Sequence, residues 1–354
     1  MGRSVYVVVW VCLALLASGC RRSADVSAEE QPFLVNLDLN VALSDIAIPR
    51  SRVSSDAAPA NDDEKMQTLR IIVVRPDGTV EANRFVKPSV ALVYDRQERF
   101  KVVGREKKRV YLFVNEGNTV VETMDGTPVS AGGKLSEYLT AIGVGDSFPA
   151  DVLASLVIRL EGDSSQLSGA LPMNESHEIE VGATDCSFEL FVTRAAVKFT
   201  YRITNQSERK LVLTGLAIDR MARREYYLPH GTVYADNEDG IREIVQYDVV
   251  PADYYTFVYA DDAISDAGIA LPHGKTVELP AIYLLEGKSA EPYATSLSIN
   301  GIEQRKAFPS LPQLPRNTHV VVNARIPRYG NGAVEWQVDV VPYDEVLLEP
   351  GFGI

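Results

Sequence analysis

The chain has 354 residues, and its 48 acidic residues outnumber its 35 basic residues to give a formal net charge of −13 at neutral pH. A balance this acidic argues against nucleic-acid binding and against a basic surface that would adhere to anionic lipid. The length is sufficient for two ordinary domains, since a domain usually contains about 100–200 residues.

The first predicted element is a secretion signal that ends at a cysteine. Arg3 provides a positive start, residues 5–16 are apolar, and the small residues 17–19 come directly before Cys20. A plain signal needs no cysteine there, whereas a bacterial lipoprotein signal requires one, because its thiol is lipid-modified and cleavage occurs just before it. The pattern therefore predicts lipidation at Cys20. The alternative is a plain signal or a membrane helix, but the apolar run is shorter than the roughly 20 residues that span a bilayer.

Cysteine usage excludes an internal disulfide in the processed chain. Cys12 leaves with the signal and Cys20 would carry the lipid, so that Cys186 remains. This residue lies in an alternating apolar run at 186–190, which predicts a buried and unreactive thiol rather than a nucleophile. The folded chain must therefore be held together by its hydrophobic cores.

A polar tether over residues 20–32 precedes a regular alternation of apolar and polar side chains. The apolar positions are Val35, Leu37, Leu39, Val41 and Leu43. A period of two is typical of a strand with one buried face. The following stretch, residues 49–64, has no periodicity and is rich in Ser, Ala, Asp and Pro, which predicts a long exposed loop.

Short strands and two helices are predicted over the rest of the first half. The strands are expected at residues 69–74, 79–86, 90–94, 100–103, 109–114, 186–192 and 196–204. A turn at residues 76–78, which ends in glycine, predicts that the first two of these strands form a hairpin. Helices are expected at 135–142, before Gly143, and at 149–160.

A polar segment at 205–209 predicts a boundary between one domain at 33–207 and a second at 208–354. Nearly every pattern beyond the boundary is that of a strand. These strands are expected at residues 211–218, 244–250, 254–259, 277–285, 294–299, 319–326 and 334–341. Many short strands separated by turns predict an all-β fold of sandwiches or barrels rather than a parallel α/β sheet.

No catalytic or metal-binding motif stands out in the sequence. The four histidines are His177, His230, His273 and His319, and none lies three to five residues from another histidine or from a cysteine, as metal ligands often do. The acidic pairs at 62–63 and 261–262 fall in predicted loops, where a solvated surface is the ordinary role. We therefore expect no enzymatic activity, no metal and no cofactor.

Several short motifs follow one another after the lipoprotein cysteine. They are Asp-Asp-Glu at 62–64 before the strand at 69–74, Tyr-Leu-Phe-Val-Asn-Glu-Gly at 111–117, Thr-Arg-Ala-Ala-Val-Lys-Phe at 193–199, Ile-Tyr-Leu-Leu-Glu at 282–286, Arg-Asn-Thr-His at 316–319, Val-Glu-Trp at 334–336 and the tail at 343–353. In this order they resemble the FimA-type major fimbrial subunits (type V pili) of the Bacteroidetes and the wider fimbrillin superfamily. The resemblance covers nearly the whole chain.

This resemblance implies two β-sandwich domains of transthyretin-like, Greek-key type, with one or two short helices in the first. It also implies assembly by strand exchange. An arginine-specific protease cuts the loop after the first strand, the first strand leaves its groove, and a strand from the next subunit fills that groove. By position, Arg52 matches the cleavage site best and Arg50 is next, while the alternative is that both are ordinary surface arginines.

Two apolar segments near the C-terminus are candidates for the donated strand. The candidate residues are Trp336, Val338, Val340, Val346 and Leu348. The first three alternate with polar residues as the first strand does, and Pro342 ends that run because proline cannot donate to a sheet. The alternative is that both segments are simply the final strands of the second domain.

Taken together, residues and resemblance predict a fimbrial subunit precursor that is exported as a lipoprotein to the outer membrane and then polymerised into a fimbrium at the cell surface. Expected partners are other fimbrial subunits, an arginine-specific protease and a host or bacterial surface receptor. One alternative is an anchor or tip subunit of the same pilus type. Another is a monomeric surface lipoprotein that binds glycan or protein through the tyrosines at 226–227 and 254–255, although packing across a sheet is the commoner role of strand tyrosines.

Overall fold

The computed structural model describes residues 33–44, 61–88, 95–236, 242–251, 253–260, 264, 267–308, 313–328 and 333–342. Several predicted features lie outside these ranges, namely Cys20, Arg50, Arg52, Val346, Leu348 and the strand at 90–94. None of the helices inside the ranges combines the length and the apolar composition that a membrane span requires.

The first half of the described chain is built mainly from strands. They are β1 (Leu34–Leu43), β2 (Leu69–Val74), β3 (Val80–Val86), β4 (Asp95–Val103), β5 (Glu106–Val114), β6 (Val157–Arg159), β7 (Met173–Val181) and β8 (Cys186–Arg194). Two short α-helices, α1 (Leu135–Thr140) and α2 (Ala150–Ala154), lie between β5 and β6. The predicted hairpin of β2 and β3 is confirmed by their antiparallel pairing.

The helix expected over residues 149–160 is wrong beyond Ala154, where α2 ends. Residues Val157–Arg159 instead form β6, which pairs antiparallel with Arg224–Tyr226 from the second half of the chain. Val157 and Ile158 are β-branched and therefore lose side-chain freedom in a helix. Their partner strand is distant in sequence, so local pattern could not reveal it.

Strands β1 to β8, except β6, form one sheet in the order β3-β2-β5-β7-β8-β1-β4. β7 pairs with β8 only at Met173 and Asn174, so the sheet divides there into two layers. Apolar side chains of β1, β4 and β8 share one core with those of β2, β5 and β7. The first group of strands is therefore a sandwich, and β1 belongs to the layer opposite β2 and β5.

The second half of the described chain contains further strands. They are β9 (Val197–Asn205), β10 (Leu211–Ala222), β11 (Arg224–Tyr226), β12 (Val233–Asp236), β13 (Arg242–Gln246), β14 (Tyr254–Val258), β15 (Ile269–Leu271), β16 (Lys275–Glu278), β17 (Ile282–Leu284), β18 (Tyr293–Ile299), β19 (Ile302–Phe308), β20 (Thr318–Ile326) and β21 (Glu335–Pro342). They form two larger sheets, in the orders β16-β9-β20-β21 and β14-β10-β18-β19, with β17 on β9 and β15 on β10. The predicted all-β, sandwich-type fold is confirmed.

The position of β9 moves the division between the two groups of strands. β9 pairs with β16, β17 and β20, all of which come from the second half. Its inward side chains Phe199, Tyr201 and Ile203 are fully buried in a core that is built largely from that group and that also includes side chains of β2 and β5. Apart from β6, which pairs with β11, the strand pairing therefore separates the groups between Arg194 and Val197, whereas the sequence predicted a boundary after residue 207. We refer below to β1–β8 as the first domain and to β9–β21 as the second domain.

Candidate functional site around the first strand

β1 is an interior strand of its layer. It pairs antiparallel with β4, from Leu34 opposite Val103 onward, and parallel with β8, from Leu37 opposite Cys186 onward. Both of its backbone edges are therefore occupied within the chain. Removing β1 would expose two facing rows of unpaired N–H and C=O groups, and such edges are templates for the addition of another strand.

The inward face of β1 is almost completely buried. Val35, Leu37, Leu39 and Val41 are at most 4% exposed, and Leu43 is partly buried at the end of the strand. Burial of such side chains stabilises a fold by roughly 1.5–3 kcal/mol each, or about 6–12 kcal/mol for four before ordering costs. The alternating positions predicted for the first strand therefore form a central part of the first core.

The outward face of β1 is fixed by polar contacts. The side-chain amide of Asn36 donates to Asp185 Oδ2 at 2.7 Å, and its backbone N–H donates to Oδ1 of the same carboxylate at 2.8 Å. Asp38 accepts from Arg99 Nε at 2.6 Å, and this hydrogen bond lowers the pKa of Asp38 below its ordinary value. These contacts fix the register of β1 against β4 and β8.

The start of β1 is held at the turn between β4 and β5. The carbonyl of Phe33 accepts from Gly104 N at 2.7 Å, and the Arg105 guanidinium lies over the Phe33 ring, 5.3 Å from its centroid. Gly104 permits this approach because a Cβ there would lie 2.7 Å from the carbonyl oxygen of Gly182 and 3.0 Å from the ring of Phe33. Glycine is thus required at position 104 because a Cβ would clash with its neighbours, and not because the backbone has a positive φ.

The end of β1 is held by the second domain as well as by β8. Ser44, the residue after β1, donates its backbone N–H to the carbonyl of Val192 at 2.9 Å. Its own carbonyl accepts from Asn317 Nδ2 at 3.1 Å. Asn317 lies just before β20, so this hydrogen bond joins the end of the first strand to the second domain.

Glu64, which lies beyond the arginine-bearing segment, returns the chain to the same place. Glu64, in a short 3-10 turn, is fully buried and pairs with Lys198 Nζ at 2.8 Å and with the Tyr283 hydroxyl at 2.6 Å. Its carbonyl accepts from Arg194 Nε at 3.1 Å. Arg194 Nη1 in turn donates to Asn317 Oδ1 at 3.1 Å. Ser44, Glu64, Arg194 and Asn317, which we call the loop-end cluster, therefore connect both ends of the segment that contains Arg50 and Arg52.

A second buried polar group lies beside this cluster at the domain junction. Arg316 Nε donates to Glu286 Oε1 at 2.6 Å, and Arg316 Nη1 reaches Asn174 Oδ1 on β7 at 3.2 Å. Two further buried carboxyl groups lie in the same region. Burial raises the pKa of Glu175 to about 7, and burial together with the neighbouring Glu286 raises the pKa of Glu225 to about 9.

Several of the short motifs quoted from the sequence meet at this junction. Glu64, Arg194, Lys198, Tyr283, Glu286, Arg316 and Asn317 come from four of them. Sequence reasoning identified the motifs by their order but gave no role to their polar residues. The signal that marks most of them is a charged residue within an apolar strand, as at Arg194 and Lys198, or close to the end of one, as at Glu286 and Arg316. Charges are rarely buried unless they are paired.

The predicted donor residues fall in two places. Trp336 and Val338 lie on β21, which pairs antiparallel with β20 within the same chain, and both pack against the core of the second domain. Val340 is paired in the same ladder, opposite Val320. β21 is the last strand of its sheet. The candidates Val346 and Leu348 lie outside the described residues.

Features of enzymatic and sugar-binding sites receive little support in the described part of the chain. No group of three or more His, Cys, Asp or Glu side chains is placed there to hold a metal ion. Cys186 is half-buried, and burial raises the pKa of its thiol, which disfavours the reactive thiolate. Tyr227 and Tyr255 are buried, and Tyr226 stacks on His230 with 4.3 Å between ring centroids. The tyrosine pairs therefore do not form an exposed aromatic platform.

The sequence matches no family model and no curated protein. The structure is similar to the tip fimbrial protein Mfa3 of Porphyromonas gingivalis, solved with a C-terminal truncation, with a TM-score of 0.54 and 11% identity over 87% of this chain and 99% of that one. A fimbrial assembly protein of Parabacteroides distasonis aligns with a TM-score of 0.47, 10% identity and coverage of 87% and 98%. The fimbrial anchor protein Mfa2 of P. gingivalis aligns with a TM-score of 0.41, 9% identity and coverage of 87% and 98%.

The alignment with Mfa3 extends over both domains of the present chain, because it covers 87% of the residues. At 11% identity this likeness is one of fold. The chain therefore shares the fold of this tip fimbrial protein.

Proposed function

We propose that the chain is a fimbrial structural subunit precursor, exported as a lipoprotein through Cys20 and polymerised by strand exchange after a cut at Arg52 or Arg50. The observation that carries the proposal is the place of β1. It is an interior strand with four almost fully buried apolar side chains, and it is followed at once by the arginine-bearing segment. A cut in that segment would turn an interior strand into a separate, replaceable piece.

The energetics favour replacement over simple loss of β1. An empty groove would forfeit about 6–12 kcal/mol of apolar burial, which is comparable with the whole 5–15 kcal/mol stability of an ordinary domain. The cut first strand would therefore remain seated until another strand takes its place. A strand from the next subunit must offer a similar alternation of apolar side chains to recover this burial.

We assign the donated strand to the segment with Val346 and Leu348 rather than to β21. β21 is already paired with β20, and Trp336 and Val338 cover part of the second core. Donation of β21 would therefore cost the second domain its last strand. Donation of the tail beyond Pro342 would leave β21 paired with β20.

An anchor or tip subunit of the same pilus type is the second candidate role, and the fold likeness to the tip protein Mfa3 favours it. An anchor would keep both its lipid and its first strand, so Arg50 and Arg52 would remain uncut. A monomeric surface lipoprotein is less favoured, because the tyrosine pairs do not form an exposed platform. Other fimbrial subunits, an arginine-specific protease and a surface receptor are the partners of the proposed role.

Limited proteolysis tests the proposal. The chain from residue 21 is treated with a low dose of trypsin, and the products are followed by mass spectrometry, SDS gels and electron microscopy. We expect a first cut after Arg50 or Arg52, then SDS-resistant or filamentous oligomers. The double variant Arg50→Gln/Arg52→Gln should remain uncut and monomeric, whereas Arg84→Gln, an exposed arginine on β3, should behave as the unaltered chain does.

Two results would contradict the role of a structural subunit that polymerises after cleavage. One is a first cut elsewhere in the chain with no assembly. The other is equal assembly by the double variant, because assembly would then be independent of the arginine-bearing segment.

A further inference from the structure

The proposed cut leaves β1 attached to the rest of the chain by non-covalent contacts alone. Most of these contacts are strand pairing and apolar packing inside the first domain. At Ser44, however, the second domain also holds the strand, through Asn317 Nδ2 and the Ser44 carbonyl oxygen at 3.1 Å. A role for this contact rests on the proposed function, because the contact joins separate pieces only after the segment that follows β1 is cut.

The side chain of Asn317 is held in place from several directions. Its φ of 61° lies in the left-handed region, which asparagine adopts more readily than most residues. Its backbone N–H lies within hydrogen-bonding distance of the carbonyls of Arg194, at 3.1 Å, and Ala196, at 2.9 Å. Its Oδ1 accepts from Arg194 Nη1, which leaves Nδ2 directed at Ser44. The amide is thus oriented before the strand is cut.

The two ends of the arginine-bearing segment are held by different kinds of contact. Glu64 is bound by Lys198, Tyr283 and Arg194. After a cut at Arg50 or Arg52, Glu64 and these three partners would still belong to the same fragment. Ser44 would depart with β1. Within the loop-end cluster, the bond from Asn317 to Ser44 is therefore the contact that spans the two fragments.

We infer that Asn317 is a latch residue, which keeps the cut first strand in its groove until a replacement strand displaces it. The latch binds a main-chain carbonyl at the end of the strand and therefore acts independently of the side chains that fill the groove. It delays exposure of the two open edges and of the apolar core between cleavage and assembly. Asn317 is a positioning residue in this scheme, since it orients β1 and takes no part in the cleavage.

The test measures release of the first strand without requiring assembly. A site for a sequence-specific protease replaces the residues around Arg50 and Arg52 in the chain from residue 21, so that cutting does not depend on the natural arginines. After complete cutting, the rate at which the N-terminal fragment leaves is followed by size-exclusion chromatography over a series of urea concentrations. The series guarantees a measurable release rate for every variant.

The informative variant is Asn317→Asp. It keeps Oδ1 as the acceptor for Arg194 and removes the Nδ2 donor to Ser44. Asn300→Asp is the matched control, because Asn300 also has a positive φ, of 50°, and its Oδ1 accepts from Val212 N inside the second domain. Tyr283→Phe is a second control. It removes a hydrogen bond to Glu64, which stays on the same fragment as Tyr283 after the cut and does not hold β1.

We expect Asn317→Asp to release the fragment roughly two- to tenfold faster, the effect of one lost hydrogen bond. Asn300→Asp and Tyr283→Phe should release it at the unaltered rate. The latch is contradicted if Asn317→Asp releases the fragment no faster, or if either control accelerates release equally. Should Asn317→Asp fail to fold, Asn317→Gly tolerates the positive φ, removes the amide and is judged by the same rates. Failure of the cut chain to polymerise, with the expected release rates, would contradict the proposed function alone.

Discussion

The guanidinium of Arg316 and the carboxylate of Glu286 form an ion pair at the domain junction in which both side chains are at least 96% buried. Arg316 donates to Glu286 through its backbone N–H, at 2.8 Å, and through Nε, at 2.6 Å. Its remaining nitrogens donate to Asn174 and to the carbonyls of Tyr226 and Tyr227. One arginine side chain thus joins strand β7 of the first domain to the second domain.

Breaking this ion pair should destabilise the protein strongly. Arg316→Met leaves the Glu286 carboxylate buried without its charge partner, and loss of one member of a buried pair typically costs about 3–5 kcal/mol. Urea unfolding at pH 7 measures the difference. The control is Arg305→Met, because Arg305 is exposed and its partner Asp219 is partly exposed, and an ion pair at the surface contributes at most about 1 kcal/mol. Equal losses in the two variants would contradict the structural role of Arg316.

The buried face of β1 should tolerate truncation poorly. Leu39 is fully buried, so Leu39→Ala is expected to lower the free energy of unfolding by about 2–5 kcal/mol through lost burial and a residual cavity. Leu34→Ala, on the same strand but at a position that is 46% exposed, should change it by no more than about 0.5 kcal/mol. Similar effects of the two changes in urea unfolding would mean that β1 is not seated as described.

Adding a side chain at Gly104 should also destabilise the protein. A Cβ at this position would lie 2.7 Å from the Gly182 carbonyl oxygen, so Gly104→Ala must shift backbone and is expected to cost about 1–3 kcal/mol. Gly117→Ala is the control, because no atom beyond its chain neighbours lies within 4 Å of the added Cβ. Thermal unfolding compares the two variants. Equal melting temperatures would contradict the close approach of Gly182 and Phe33 to Gly104.

The buried carboxyl of Glu225 should make stability depend on pH. Its folded pKa, raised to about 9 by burial and by Glu286, lies above the unfolded value of 4.5, so the folded state holds a proton that the unfolded state releases. This contribution is complete below about pH 4.5 and is lost as the pH rises toward 9. Glu225→Gln, which needs no proton, should therefore gain stability relative to the unaltered chain as the pH rises from 5 to 8.

The measurement for Glu225 is urea unfolding at pH 5, 6, 7 and 8. The upper limit for one such group is about 1.4 kcal/mol per pH unit. Glu303→Gln, an exposed position on β19, is the control and should follow the unaltered chain throughout. A constant difference between Glu225→Gln and the unaltered chain at all four values would contradict the raised pKa.

Local pattern was sufficient for strands whose apolar residues alternate strictly. The five apolar positions from Val35 to Leu43 lie along one strand, four of them almost fully buried, because a period of two places alternate side chains on the same face of any strand. β7 escaped prediction for the opposite reason. Its polar residues Asn174 and Glu175 are buried at the domain junction, where partners from the second domain hydrogen-bond to them.

The sequence by itself determined the all-β class, the first strand and its buried face, because these depend on periodicity and turn residues that act over a few positions. Only the tertiary structure decided that β9 belongs to the second domain and that Ser44, Glu64, Arg194 and Asn317 meet at one point. Such contacts join residues up to 273 positions apart. They depend on which strands pair across the chain, and a strand's own sequence specifies its faces but not its neighbours.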